Sequence, residues 1–144
     1  MLKNPSSRVL LALQRAGWSP GRDVSSRVEE WTKTLCETGS FPRVEVAFEI
    51  LRELGGLRVE PHTTGHDFAP GPVVFDPTLA VGEEDRFASH GEGLFPLGEV
   101  YDGHGFLAIE ESGRTFIVGD ELIVLGDTFE EGVSNLLEGH SYGR

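Results

Sequence analysis

One cysteine, one methionine and two tyrosines stand in 144 residues, and lysine and arginine together number only 12 against 24 acidic residues. The lone Cys36 excludes an internal disulfide, which fits a reducing compartment. No run approaches the ~18 consecutive apolar residues that a membrane span requires. The opening Met1-Leu2-Lys3-Asn4-Pro5 lacks the apolar stretch and small-residue cleavage site of a secretory signal, so the expected location is the cytoplasm. Also missing are a Gly-rich phosphate loop with its Lys-Ser/Thr, a dinucleotide fingerprint and a nucleophile elbow. No cofactor is implied.

The shortage of cations is local. Residues 1–60 hold nine Lys/Arg against eight Asp/Glu, whereas residues 61–144 hold three against sixteen. An acidic half repels nucleic-acid phosphate and attracts basic proteins. What remains is an ordinary globular composition, 38% apolar and 25% charged, expected to form one domain over 1–144.

Helices are predicted from apolar spacing and stop signals. Ser6 or Ser7 caps the first, over 5–17, with Val9, Leu10, Leu13 and Ala16 inward. The second runs from Ser25 or Ser26 to Glu37 with Val28, Trp31 and Leu35 on one side. The third covers Arg43 to Leu54 with Val44, Ala47, Phe48, Leu51 and Leu54 inward, and stops at Gly55-Gly56. There Gly55 is expected in the left-handed conformation after the helix, and Gly56 reverses the chain. Leu57-Arg58-Val59-Glu60 alternates as a strand, 61–72 reads as an irregular loop, and Val73-Val74-Phe75 as a short strand. Residues 78–90 read as a helix. After Phe95-Pro96-Leu97-Gly98-Glu99 comes a meander of Phe106–Ile109, Thr115–Val118 and Leu122–Leu125, turned at Asp102-Gly103, Ser112-Gly113 and Gly119-Asp120. A last helix from Asp127 or Thr128 buries Phe129, Val133, Leu136 and Leu137. The expected class is α+β: a largely antiparallel sheet packed against helices, with Leu54 and Phe116 in the same core.

Candidate chemistry is thin. His62 and His66 are four apart beside Asp67, but they lie among prolines and glycines with no further ligand set, so no metal site is expected. Cys36 sits beside Glu37, which would raise its pKa and make it a poor nucleophile. Glu110 and Glu111, adjacent on a strand, would point to opposite faces and could not form a glycosidase pair. Trp18 and Trp31 are core or rim residues, or interface anchors if exposed.

Several segments in order resemble one known family. Phe48-x-x-Leu51-x-x-Leu54-Gly55-Gly56-Leu57 resembles the helix-to-strand junction of the SUKH superfamily. Ala16-Gly17-Trp18-x-Pro20-Gly21-Arg22, Phe75-Asp76-Pro77, Pro96-Leu97-Gly98-Glu99, Gly113-Arg114-x-Phe116, Leu125-Gly126-x-x-Phe129 and Leu136-Leu137-x-Gly139 resemble its third family of immunity proteins. The resemblance implies a mixed, strongly curved sheet and a non-enzymatic role in bacterial polymorphic toxin systems. There such a protein binds a cognate toxin domain, typically a nuclease or nucleic-acid deaminase, and blocks its active surface. The family has no catalytic set to transfer. The acidic residues expected to meet a basic toxin are Glu83, Glu84, Asp85, Glu110, Glu111, Asp120, Glu121, Asp127, Glu130 and Glu131; neither nucleic acid nor membrane is an expected partner. The competing reading is an intracellular scaffold or regulatory binding module on the same fold.

Overall fold

The computed structural model describes residues 6–60, 71–91 and 93–138. In chain order they form α1 (Ser7–Arg15), α2 (Ser25–Thr32, running into a π-helical turn at Lys33–Thr38), α3 (Glu45–Leu54), β1 (Arg58–Val59) and β2 (Val73–Val74). A 3₁₀ turn (Pro77–Ala80), α4 (Glu84–Ser89), β3 (Phe95–Val100), a 3₁₀ turn (Tyr101–Gly103), β4 (Gly105–Ile109), β5 (Thr115–Val118), β6 (Leu122–Gly126) and α5 (Phe129–Glu138) follow. The α+β class holds. The six strands lie in the order β1 to β6 as one open sheet, and every pairing among the described residues is antiparallel rather than mixed.

Two helices, α1 and α5, start where a nearby side chain serves their free amides. Ser6 accepts a hydrogen bond from the Val9 amide at 3.2 Å, and Val9, Ala12 and Leu13 then fall on the buried face of α1. Thr128 Oγ1 accepts from the Glu131 amide at 3.1 Å, while Glu131 Oε1 accepts from the Asp127 amide at 3.0 Å. That reciprocal pair fixes the start of α5 much as a capping box does. Phe129, Val133, Leu136 and Leu137 are all buried, as their spacing predicts.

Two expectations about the backbone need correction. The helix predicted over 78–90 is two short pieces, because Gly82, at φ +95°, turns the chain between the 3₁₀ turn and α4. At the α3 stop, the left-handed residue is Gly56 (φ +84°), not Gly55. Gly55 is needed for room: a Cβ there would lie 2.7 Å from Trp31 Cζ3 and 2.5 Å from the Leu51 carbonyl oxygen.

Both faces of the sheet's centre are covered, and every residue of β4 and β5 is buried. Thr115 meets α5 at Gly132, where an added Cβ would be 3.0 Å from Thr115 Cβ. Through the register Phe95↔Ile109↔Thr115, Phe95 shares that face, and the Phe48 ring of α3 packs edge-on to it at 5.2 Å. Phe116, one residue on from Thr115, faces the other way with Ala108 and Val124. It is buried there at 5% exposure, and with the fully buried Leu54 it belongs to one continuous hydrophobic core, as expected. Phe87 of α4 covers that second face where its ring meets Phe106 at 5.7 Å.

Candidate partner-binding surface

The stretch that resembles a family signature is structural. Arg22 Nη1 donates to the Glu53 carbonyl at 2.7 Å and Nη2 to the Gly55 carbonyl at 2.8 Å. Trp18 Nε1 donates to Glu53 Oε2 at 3.3 Å, and the Val24 amide to the Arg52 carbonyl at 2.8 Å. One turn thus clamps the C-terminal end of α3, where a cation suits the helix dipole. Burial, and then the neighbouring charge of Arg27, holds the Arg22 pKa below its ordinary value. Both tryptophans are half-buried against the core, so neither stands out as an exposed anchor.

The ten acidic candidates do not form one patch. Glu83, Glu84 and Asp85 lie at the start of α4. Glu110, Glu111, Asp127, Glu130 and Glu131 gather at the end of the sheet where β4 leaves, β5 begins and β6 leaves. Asp120 and Glu121 occupy the opposite end, in the β5–β6 turn. The two ends are separated by the length of β6, about 15 Å at ~3.4 Å per residue.

Several of these carboxylates have structural work. Glu111 Oε1 and Oε2 accept from the Glu45 and Val46 amides at 3.4 and 3.5 Å, satisfying the first turn of α3 from the β4–β5 turn. Glu110 accepts from the Ser112 hydroxyl at 2.7 Å. The two part company as turn residues, not by strand alternation as the sequence suggested. Glu83 pairs with Arg86 at 3.2 Å, Glu84 accepts from the Gly82 amide at 2.8 Å, and Asp127 lies 3.4 Å from Arg114. Asp85, Asp120 and Glu121 are exposed and in no ion pair among the described residues.

A groove of about 450 Å³ beside α4 is lined by Phe41, Pro42, Phe87 and Leu94, with Glu84 and Asp85 at its lip. No local sequence signal points to it, since it joins segments more than forty positions apart. Among the described residues no three His, Cys, Asp or Glu side chains are grouped to hold a metal. His62 and His66 lie outside those residues. His90 Nε2 is 3.0 Å from the Gly119 carbonyl. Burial pushes the Cys36 thiol pKa up, its Sγ lying 3.5 Å from the Pro42 carbonyl oxygen. Among the described residues no helix is long and apolar enough to cross a membrane.

Taken together, the molecule is an α+β protein with an open antiparallel sheet, a structural signature at one helix end and acidic side chains on its outer turns. The chain belongs to the SUKH-3 immunity protein family, whose model matches residues 5–139. No curated protein and no solved structure matches it.

Proposed function

We propose that this protein neutralises a cognate toxin domain, a nuclease or a nucleic-acid deaminase, by binding it in the cytoplasm and laying acidic surface over its basic substrate-binding face. It acts by binding and carries out no reaction of its own. The family supports the immunity role. The observation that carries the mechanism is the charge asymmetry, three cations against sixteen anions over residues 61–144. Proteins that hold nucleic acid present cationic surface, and an acidic blocker both fits it and speeds the encounter.

The test is association kinetics with a toxin domain against which the protein protects growing cells. The association rate should fall steeply as salt screens charges over about 8–10 Å. Reversing Glu83, Glu84 and Asp85 together to Lys should slow association by roughly tenfold or more at low salt while the circular dichroism spectrum stays unchanged. Kinetics indifferent to salt and to reversal of all the acidic clusters would remove the electrostatic mechanism. Failure to protect against or to bind any toxin domain would remove the immunity reading itself.

A further inference from the structure

Strand β6 closes the sequence of pairings: it bonds to β5 on one side, and among the described residues no strand pairs with its other side. In an antiparallel ladder, alternate residues of such a strand direct both N–H and C=O away from their partner. The Leu125 carbonyl is taken by Asn135 Nδ2 at 2.7 Å, which anchors the strand's far end to α5. Upstream of it, Leu122 and Ile123 are half-buried and Val124 is 37% exposed. Leu122 and Val124 share the face of Phe116, so a strand laid beside β6 would find an apolar neighbour there.

The flanks of β6 decide what such a strand can be. Asp120 and Glu121 precede it and Asp127 follows it, joining two acidic clusters that the fold otherwise keeps apart. Of these three, only Asp127 has an ion-pair partner among the described residues, Arg114 at 3.4 Å. A second copy of this chain fits badly in either direction. Antiparallel pairing of two β6 strands sets Asp120 and Glu121 of one against Asp127 of the other, and parallel pairing sets each acid against itself. Like charges opposite one another are destabilising, a common guard on open edges.

We propose that β6 is the docking edge for an extended segment of the partner, an alternating apolar strand flanked at both ends by lysine or arginine. Main-chain bonds along β6 give the segment its register, Leu122 and Val124 take its apolar side chains, and the acidic flanks reject acidic or self-complementary strands. The identity of the basic partner rests on the immunity reading; the edge itself can be tested without any toxin.

The experiment is a titration of the full chain, followed by backbone NMR, with a short peptide of alternating valine and threonine carrying a lysine pair at each end. Saturable shifts should centre on amides 122–126 at low salt, weaken by about tenfold or more at high salt, and vanish for the same peptide with glutamate flanks. The Asp120→Lys, Glu121→Lys double variant, both positions exposed, should weaken the lysine peptide and admit the glutamate peptide. No saturable binding up to millimolar peptide, shifts centred away from β6, or equal affinity for both peptides would overturn the proposal. A toxin that still binds in any of those cases leaves the immunity reading standing.

Discussion

The clamp on the end of α3 can be taken apart one bond at a time. Arg22→Met keeps most of the aliphatic stem and removes both guanidinium bonds, leaving the Glu53 and Gly55 carbonyls without that partner. A hydrogen bond to a charged group contributes about 1.5–3 kcal/mol, and a buried acceptor left unpaired costs about 1–3 kcal/mol. Gly55 is buried, but Arg22 keeps partial exposure, so water can serve part of the loss. The expected destabilisation is therefore about 2–4 kcal/mol, below the simple sum of two charged bonds. Urea unfolding should show the midpoint falling with the slope unchanged, since the surface exposed on unfolding is the same. Arg22→Lys is the sharper probe. One ammonium lacks the planar fork that reaches two carbonyls at once, so it should recover about half of the loss. A cost below ~1 kcal/mol for the Met variant, or full recovery with Lys, would refute the clamp.

Gly98→Ala should open the β2–β3 pairing, because its Cβ would stand 1.8 Å from the Val74 carbonyl oxygen and no rotamer can move a Cβ. The cost should reach or exceed the ~1–3 kcal/mol of ordinary overpacking, with faster amide exchange at Val73–Phe75; a loss below ~1 kcal/mol would show that β2 does not sit there. Cys36 should alkylate more slowly than free glutathione at pH 8, with the midpoint of its pH–rate profile above that of a free thiol. Burial raises its pKa first, and Glu37 and Glu45 add to that against Arg43. A faster rate, or a midpoint below the free thiol, would contradict the buried placement.

Elements whose local signals agreed were legible in the sequence. α1, α3 and α5 combine apolar spacing with a clear stop or start, and the inward residues expected of α3 and α5 are buried. In α1, Val9 and Leu13 are buried, Leu10 and Ala16 are half-buried, and Ala12 is buried without having been expected. β3 was harder. Pro96 and Gly98 interrupt its strand pattern, yet they sit where the pairing shifts register between Pro96 and Gly98, so the irregular sequence matches an irregular strand. Phe116 joins the same core as Leu54, as expected, but the side of β5 that a helix covers was not legible, because strand alternation fixes only which neighbours oppose. Here Thr115, small and hydrogen-bonded to the Gly113 carbonyl at 3.0 Å, took the close approach of α5 and left the ring to the other face. The acidic residues were legible as composition, but their separate uses were not. Nothing adjacent to Glu111 in sequence reveals that it reaches the start of α3, sixty-six positions upstream.

That division bears on where partner choice can reside. Residues such as Arg22, Gly55 and Gly98 are held by backbone geometry: each meets a carbonyl, a ring or a neighbouring strand at a distance that permits little else. Changing them alters the fold before it alters the surface. Asp85, Asp120 and Glu121 are exposed outside any such network among the described residues, so their charge can change at little cost to stability. A family built this way can keep one scaffold and still meet different toxins, provided some backbone feature supplies binding energy common to all. The open edge of β6 is such a feature, because main-chain bonds do not depend on the side chains that line it. On this argument the strand supplies the register of the contact, and the acids at its two ends supply the selection.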